Sequence, residues 1–173
     1  MCTHNLPFES EDAIIRCFAA NGLCNEESDK VKVVRHPVYL TGNDGLLDLS
    51  YAEAVAGSHL GVFPSYYEPW GYTPVEAAGY AVASVTTDLG GFGRYVQEEA
   101  AAGGGVFVLA RKERSYDEVV DELFGVLREY VSLDKHGRME QKLAAKHLTT
   151  RTAWETFIEY YFQAHNKAYD KRS

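Results

Sequence analysis

The most unusual stretch of the sequence combines aromatic residues, prolines and a glycine with two carboxylates. These carboxylates, Glu68 and Glu76, lie eight positions apart with Gly71 between them. A carboxylate can accept hydrogen bonds from two neighbouring hydroxyl groups, such as those of a sugar ring or a ribose. Gly71 lets the backbone come close to a ligand, because it has no side chain. The stretch is therefore suited to a ligand that carries sugar hydroxyls.

The same stretch predicts a place for an anion. A helix is expected to start at Thr73-Pro74, since proline is well tolerated in the first turn. The main-chain N–H groups of Gly71, Tyr72 and Thr73 then point out of the helix start. Such an end has free N–H groups and a partial positive charge, which suit a phosphate.

Both acidic residues also have a purely structural interpretation. Thr73 and Glu76 have the spacing of a capping box, a device that the chain repeats at Ser50 and Ser115. From spacing alone, the capping role is the favoured one for Glu76. For Glu68, a solvated loop carboxylate and a ligand-binding carboxylate are equally supported, because loop glutamates are mostly exposed.

Short apolar strands alternate with helical patterns along most of the chain. The predicted strands are Val31–Val34, Leu60–Phe63, Val82–Thr86 and Val106–Leu109. This alternation is typical of an α/β fold, a Rossmann-like parallel sheet with helices on both faces. Ligands bind beyond the carboxyl ends of such strands, and the loop that carries Glu68 follows the second predicted strand.

The last part of the chain has a helical pattern only. Predicted helices start at Ser10, Ser50, Thr73, Ser115 and Thr152, and a more basic helix covers roughly 138–148 after a break at 134–137. We therefore predict a nucleotide-sugar-binding domain over residues 1–133. A carboxy-terminal helical extension is predicted over residues 134–173.

Composition excludes several classes of protein. The 173 residues are 46% hydrophobic and 24% charged, with a formal net charge of −8. That charge argues against nucleic acid and anionic membranes as partners, since both need a basic surface. No apolar stretch approaches the ~18–20 residues that span a bilayer. Three cysteines without metal-ligand spacing, and histidines that share none, predict a reducing, cytoplasmic location and no metal.

Several segments together form a recognisable pattern. The most specific is Glu-Pro-Trp-Gly-Tyr-Thr-Pro at 68–74, within a longer run at 59–74. Others lie at 2–5, 31–33, 36–37, 84–87 and 91–93. With them the chain resembles the carboxy-terminal domain of glycogen synthases of the eukaryotic type. The resemblance covers nearly the whole chain and is weaker after Ala110.

The resemblance implies the carboxy-terminal half of a GT-B fold. It also implies the transfer of glucose from UDP-glucose to the non-reducing 4-hydroxyl of glycogen or another α-1,4 glucan, with retention and without a cofactor. The chain is expected to lack the amino-terminal domain of such a fold, so little or no transfer activity is expected of the chain alone. The full-length enzyme is expected to be a homo-oligomer.

The resemblance also assigns residues to the donor. Glu68 is expected to contact the donor glucose as the catalytic carboxylate, and Glu76 to hold the ribose. Tyr51 is expected to stack on uracil, with Tyr39 near the edge of the base. Trp70, Gly71, Tyr72 and Thr73 complete the expected donor-binding set.

Some alternatives stay open at this point. The chain departs from the family's arginine-rich helix at 138–147, which favours a solvated basic face over a glucose 6-phosphate site. A sucrose- or starch-synthase-like transferase shares the spacing of the two glutamates. A non-catalytic nucleotide- or partner-binding module is the alternative from another class of protein.

Overall fold

The computed structural model describes residues 1–99 and 104–171 of the chain. The chain divides into two compact units, Met1–Ala54 and Val55–Ser173. The domain boundary that the sequence suggests near residue 133 stays a prediction. No helix in the two described ranges is both long enough and apolar enough to cross a bilayer.

The amino-terminal unit contains little regular structure. A 3-10 turn covers Glu9–Glu11, helix α1 covers Ala13–Ala20 and helix α2 covers Tyr51–Ala56. Helix α1 starts later than the sequence suggests, because Asp12 and not Ser10 is its N-cap residue. The Asp12 carboxylate accepts hydrogen bonds from the main chain of Ile14 and Ile15 at 2.9 and 3.0 Å.

The strand predicted at Val31–Val34 is wrong. In the described residues, the only strand-like pairing near this segment is an isolated bridge between Cys2 and Arg35. Asn25 explains the difference, because its side-chain amide bonds to both the N–H and the carbonyl of Val33, each at 2.8 Å. One side chain thus occupies the groups of Val33 that a neighbouring strand would need.

The carboxy-terminal unit is built on a parallel sheet of three strands in the described residues, where the sequence predicts four. The strands are β1 (Leu60–Val62), β2 (Ala83–Thr87) and β3 (Val106–Leu109), in the order β1-β2-β3. Leu60 pairs with Ala83, and Ser84 pairs with Val106. The central strand β2 is buried along its whole length.

Helices connect and flank these strands. They are α3 (Tyr72–Gly79), α4 (Gly91–Glu99), α5 (Tyr116–Ser132), α6 (Lys135–Arg151) and α7 (Trp154–Asp170). Helix α6 is longer than the predicted 138–148, because Asp134 caps it and accepts a hydrogen bond from the Gly137 main chain at 2.7 Å.

Two hydrophobic clusters show that helices cover both faces of the sheet. On one face, Phe92 of α4 and Leu148 of α6 pack with Val106. On the other face, Val119 of α5 packs with Leu109. Since successive strand residues point to opposite faces, Val106 and Leu109 lie on different sides of β3. The predicted α/β fold is confirmed.

Capping boxes start two of the helices, as the sequence predicts. The Ser115 hydroxyl accepts the Glu118 N–H at 3.3 Å, while the Glu118 carboxylate accepts the Ser115 N–H at 2.9 Å. Ser50 and Glu53 form the same pair at α2. Hydrogen bonds from the hydroxyl and N–H of the paired serine lower the pKa of each of these glutamates.

Two lysines of the predicted basic face bind main-chain carbonyls. The Lys142 ammonium donates to the Ser58 carbonyl at 3.1 Å, and the Lys146 ammonium donates to the Gly79 carbonyl. Gln141 of the same helix accepts the Gly105 N–H at 2.7 Å. These side chains connect α6 to the residues just before β1 and β3 and to the end of α3. The two lysine ammonium groups therefore have a structural role.

Candidate functional site

A cavity of about 250 Å³ opens at the carboxyl ends of β1 and β2. Glu68, Gly71 and Thr73 contribute to its wall, and the other lining residues are Phe63, Pro64, Ser65, Pro74 and Thr86. Three residues of the predicted donor site therefore lie around one cavity. Its position is the one where a parallel sheet usually binds its ligand. We call it the donor cavity.

The start of α3 forms one wall of the donor cavity. Gly71 is the N-cap residue and has a φ of 98°, in the left-handed region that suits glycine. Tyr72 and Thr73 follow as the first helical residues and are both exposed, whereas Gly71 is buried. First-turn N–H groups have no partner within the helix. This helix start therefore presents main-chain donors toward a region that solvent reaches.

The interpretation of Thr73 and Glu76 as a capping box is wrong. Helix α3 begins at Tyr72 with Gly71 as its N-cap residue, and Gly71 has no side chain that could cap. Thr73 is thus already inside the helix. Glu76 is exposed and lies one turn into α3, outside the lining of the donor cavity. Its expected contact with the ribose stays a prediction.

Main-chain hydrogen bonds fix the loop that carries Glu68. The Glu68 carbonyl accepts the Gly91 N–H at 3.2 Å, and the Trp70 carbonyl accepts the Phe92 N–H at 2.7 Å. Glu68 and Gly90 form an isolated parallel bridge. The loop therefore runs beside the start of α4 like a short strand, which limits where the Glu68 carboxylate can go.

Thr87 also stabilises this loop through its side chain, a role that sequence reasoning missed. Its side chain is fully buried, and its hydroxyl donates to the Ser65 carbonyl at 2.8 Å. The same hydroxyl accepts the Leu89 N–H at 3.3 Å. The sequence offers one signal for this role, a hydroxyl residue directly after the predicted strand Val82–Thr86.

Arg111 is a second residue that sequence reasoning missed. Its guanidinium donates to the Pro64 carbonyl at 2.7 Å and lies 3.4 Å from the centre of the Tyr66 ring. The Arg111 N–H donates to the Asp88 carboxylate at 2.9 Å. Arg111 therefore joins the loop after β3 to the Glu68 loop, across a separation of 47 residues from Pro64.

The Trp70 ring lies among other aromatic rings. Its centroid is 5.8 Å from those of Phe92 and Tyr95, and 5.4 Å from that of Phe157. The ring is half-buried and does not line the donor cavity. The structure gives Trp70 a packing role, and its expected contact with the donor stays a prediction.

Two predicted donor residues belong to the amino-terminal unit. Tyr39 is 92% exposed, and Tyr51 is the first residue of α2 and 41% exposed. Their expected roles toward a nucleotide base stay predictions.

The donor cavity combines two kinds of chemical group. The Glu68 carboxylate is an acceptor that suits hydroxyl groups, and the α3 start supplies N–H donors that suit an anion. A ligand with a sugar next to a phosphate would engage both. The cavity is smaller than the ~300–1,000 Å³ of ordinary small-molecule pockets, so it matches part of a nucleotide sugar.

Comparison with known proteins gives a consistent result. The family model described as glycogen synthase matches residues 1–172. Glycogen [starch] synthase isoform 1 of Saccharomyces cerevisiae is 39% identical over 163 residues, which cover 91% of this chain and 23% of the yeast protein. The liver glycogen [starch] synthases of Mus musculus and Homo sapiens are 40% and 39% identical over 164 residues, covering 94% of this chain. The chain spans 23% of the length of each of these relatives.

Proposed function

This chain belongs to the glycogen synthase family, and we propose that it supplies the donor-binding half of an enzyme that extends glycogen with glucose from UDP-glucose. One observation carries the proposal: Glu68 and the start of α3, at Gly71 and Thr73, line the same cavity. The carboxylate suits the glucose hydroxyls, and the N–H groups suit the distal phosphate. The relatives' printed names support the glycogen product.

Charge development explains why such a cavity would promote the transfer. When the bond between glucose and phosphate breaks, the sugar becomes positive and the diphosphate becomes more negative. The Glu68 carboxylate would stabilise the first charge, and the N–H groups of Tyr72 and Thr73 the second. These groups are already oriented before the reaction, so they cost little reorganisation. The glucose would then pass to the non-reducing 4-hydroxyl of the glucan.

Two routes are compatible with retention of configuration. In one, Glu68 attacks as a nucleophile and forms a covalent glucosyl intermediate. In the other, the acceptor hydroxyl approaches the same face that the leaving phosphate departs from, and Glu68 only stabilises the charge. We favour the second route. Isolation of a chain glucosylated at Glu68 would establish the first.

The rest of the enzyme is part of the proposal. A GT-B enzyme closes two domains around its substrates, and this chain would contribute only the donor side of that cleft. Transfer activity is therefore assigned to the complete protein. The three cysteines, all free, support a reducing compartment such as the cytoplasm.

A calorimetric titration tests the proposal directly. The 173-residue chain is titrated with UDP, UDP-glucose and ADP-glucose in separate experiments. We expect saturable binding of UDP and UDP-glucose, because the helix start recognises the diphosphate without the second domain. ADP-glucose is expected to bind more weakly, since UDP-glucose is the proposed donor.

The same titration separates the competing hypotheses. Binding of ADP-glucose in preference to UDP-glucose would favour a starch-synthase-like transferase. If neither UDP nor UDP-glucose binds at millimolar concentration, the proposal is wrong and a non-catalytic, partner-binding module becomes the better interpretation.

A further inference from the structure

The residues just before Glu68 need support from outside their own segment. Tyr66 and Tyr67 are 71% and 77% exposed, so burial contributes little to fixing them. Main-chain bonds to the start of α4 hold the chain at Glu68 and at Trp70. The direction of the Glu68 carboxylate therefore also depends on what positions the residues that precede it.

Arg111 contacts this preceding segment at two points. Its guanidinium donates to the Pro64 carbonyl at 2.7 Å, and the guanidinium carbon lies 3.4 Å from the centre of the Tyr66 ring. That distance is well within the ~6 Å over which a cation is attracted to a ring face. A planar guanidinium can stack on a ring and donate a hydrogen bond at its edge, which an ammonium group cannot do. One side chain thus holds both a carbonyl and a ring of the segment.

The loop that carries Arg111 is itself anchored by two acidic side chains. The Asp88 carboxylate accepts the N–H groups of Arg111 and Lys112 at 2.9 and 3.1 Å. The Glu122 carboxylate of α5 accepts the Ala110 N–H at 3.3 Å. These bonds fix the backbone on either side of the Arg111 side chain. The guanidinium therefore reaches the segment before Glu68 from a fixed point.

We propose that Arg111 is a positioning residue for the Glu68 carboxylate. It holds residues 64–66 where the carboxylate that follows them faces the transferred sugar. Arg111 lies outside the lining of the donor cavity, whereas Pro64, Ser65 and Glu68 belong to it. The effect is therefore transmitted through the loop and not by contact with the donor. This inference rests on the proposed function, because it assigns a supporting residue to the same site.

Direct binding of the donor diphosphate by Arg111 is the alternative role, and the geometry disfavours it. Arg111 lines a separate pocket of about 170 Å³ together with Tyr66. That pocket and the donor cavity share no lining residue. The two roles also predict different kinetics. Loss of a diphosphate contact raises the KM for UDP-glucose, whereas loss of positioning lowers kcat.

Kinetics of a complete enzyme that contains this chain test the inference. Arg111→Ala is expected to lower kcat by about 10–10²-fold, the scale of the loss when a reacting group is displaced by about 1 Å. The KM for UDP-glucose should change little, because the segment before α3 keeps the bond from the Phe92 N–H to the Trp70 carbonyl. Calorimetry on the 173-residue chain should likewise show the same UDP affinity for Arg111→Ala and wild type.

Two rescue experiments separate positioning from a general role in folding. Arg111→Lys should have a kcat between those of Arg111→Ala and wild type, because lysine can donate to the Pro64 carbonyl but cannot stack flat on the ring. Guanidinium chloride at low millimolar concentration, far below the range that unfolds proteins, should restore part of the kcat of Arg111→Ala. A variant that is merely misfolded would not recover in this way.

Tyr66→Ala provides a second variant, at an exposed position whose loss does not empty the core. It should lower kcat in the same direction as Arg111→Ala. The double variant should be no worse than Arg111→Ala alone, since the ring acts through the guanidinium and residues in contact are not additive. Additive losses in this double-mutant cycle would contradict the inference.

Arg128→Ala is the matched control. Arg128 is exposed, its guanidinium lies 5.9 Å from the centre of the Phe124 ring, and it lies outside the donor cavity lining. Its kcat should equal that of wild type, with or without guanidinium chloride.

A wild-type kcat in Arg111→Ala, together with a strong loss in Glu68→Gln, would overturn the inference and leave the proposed function intact. A raised KM and weaker UDP binding with unchanged kcat would overturn it in favour of direct diphosphate contact. If Glu68→Gln itself keeps the wild-type kcat, the proposed role of Glu68 is wrong and this inference fails with it.

Discussion

In a complete enzyme that contains this chain, Glu68→Gln is expected to lower kcat by about 10²–10³-fold, the usual effect of removing one preorganised electrostatic group. Glutamine has nearly the same shape but no negative charge, so it cannot stabilise the positive charge that develops on the sugar. The Michaelis constant for UDP-glucose should change much less, because glutamine can still accept a hydroxyl hydrogen. Initial rates of glucose incorporation into glycogen measure both constants.

Glu129→Gln is the matched control for this experiment. Glu129 is exposed on α5 and does not line the donor cavity. Its substitution removes the same charge at a distant position, so kcat should stay near that of wild type. If Glu68→Gln also keeps the wild-type kcat, then Glu68 is a solvated loop residue and has no catalytic role.

Gly91→Ala is expected to abolish nucleotide binding by this chain. A Cβ atom at Gly91 would lie 2.3 Å from the Pro69 carbonyl oxygen and 3.2 Å from the Trp70 Cα. Both contacts involve backbone, which cannot move away as a flexible side chain would. The loop with Glu68 must therefore shift, and the hydrogen bond from the Gly91 N–H to Glu68 is lost with it.

The stability of the variant should fall as well. Forcing an extra carbon into a packed region costs about 1–3 kcal/mol of the free energy of unfolding. Urea unfolding measures this loss, and calorimetry with UDP-glucose measures the loss of binding. Unchanged UDP-glucose affinity in Gly91→Ala would contradict the view that the start of α4 positions the Glu68 loop.

Gly125→Ala is the matched control for Gly91→Ala. A Cβ atom at Gly125, in the middle of α5, would meet no described atom within 4 Å apart from its chain neighbours and the backbone of its own helix. Alanine is favoured over glycine in a helix interior by roughly 0.5–1 kcal/mol. The control variant should therefore be slightly more stable than wild type and bind UDP-glucose equally well. The two substitutions add the same group with opposite expected effects on stability.

Elements with local signals could be predicted closely from the sequence. Strand β3 was predicted at Val106–Leu109, which is its observed range. The capping box at Ser115 and Glu118 was also predicted and is present. In both cases the signal is contained in a few consecutive residues, an apolar run for the strand and a serine–glutamate spacing for the helix, so a single sequence is sufficient.

Elements that depend on one particular side-chain bond or backbone conformation could not be predicted in the same way. The residues Val31–Val34 have a strand-like composition, but the Asn25 side chain bonds to Val33 in place of a neighbouring strand. The Thr73 and Glu76 pair has the spacing of a capping box, yet the helix begins earlier because Gly71 adopts a left-handed conformation. The spacing of residues in the sequence predicts neither the Asn25 hydrogen bonds nor the conformation of Gly71.

The candidate site also has one part that could be predicted from the sequence and one part that could not. The position of Glu68 and Gly71 after strand β1 is enough to predict a ligand site there, and both residues line the donor cavity. The residues that hold this loop, Thr87 and Arg111, act through hydrogen bonds to Ser65 and Pro64. These bonds join residues 22 and 47 positions apart. No local pattern indicates such pairs.

The main-chain N–H groups at the start of α3 are central to the proposed function. Adding UDP to the ¹⁵N-labelled chain, and following each amide by two-dimensional NMR, tests them most directly. We predict that the largest shift changes occur at Gly71, Tyr72 and Thr73, because their N–H groups would donate to the diphosphate. If these three amides keep their positions at saturating UDP, the helix start does not bind the donor and the account is contradicted.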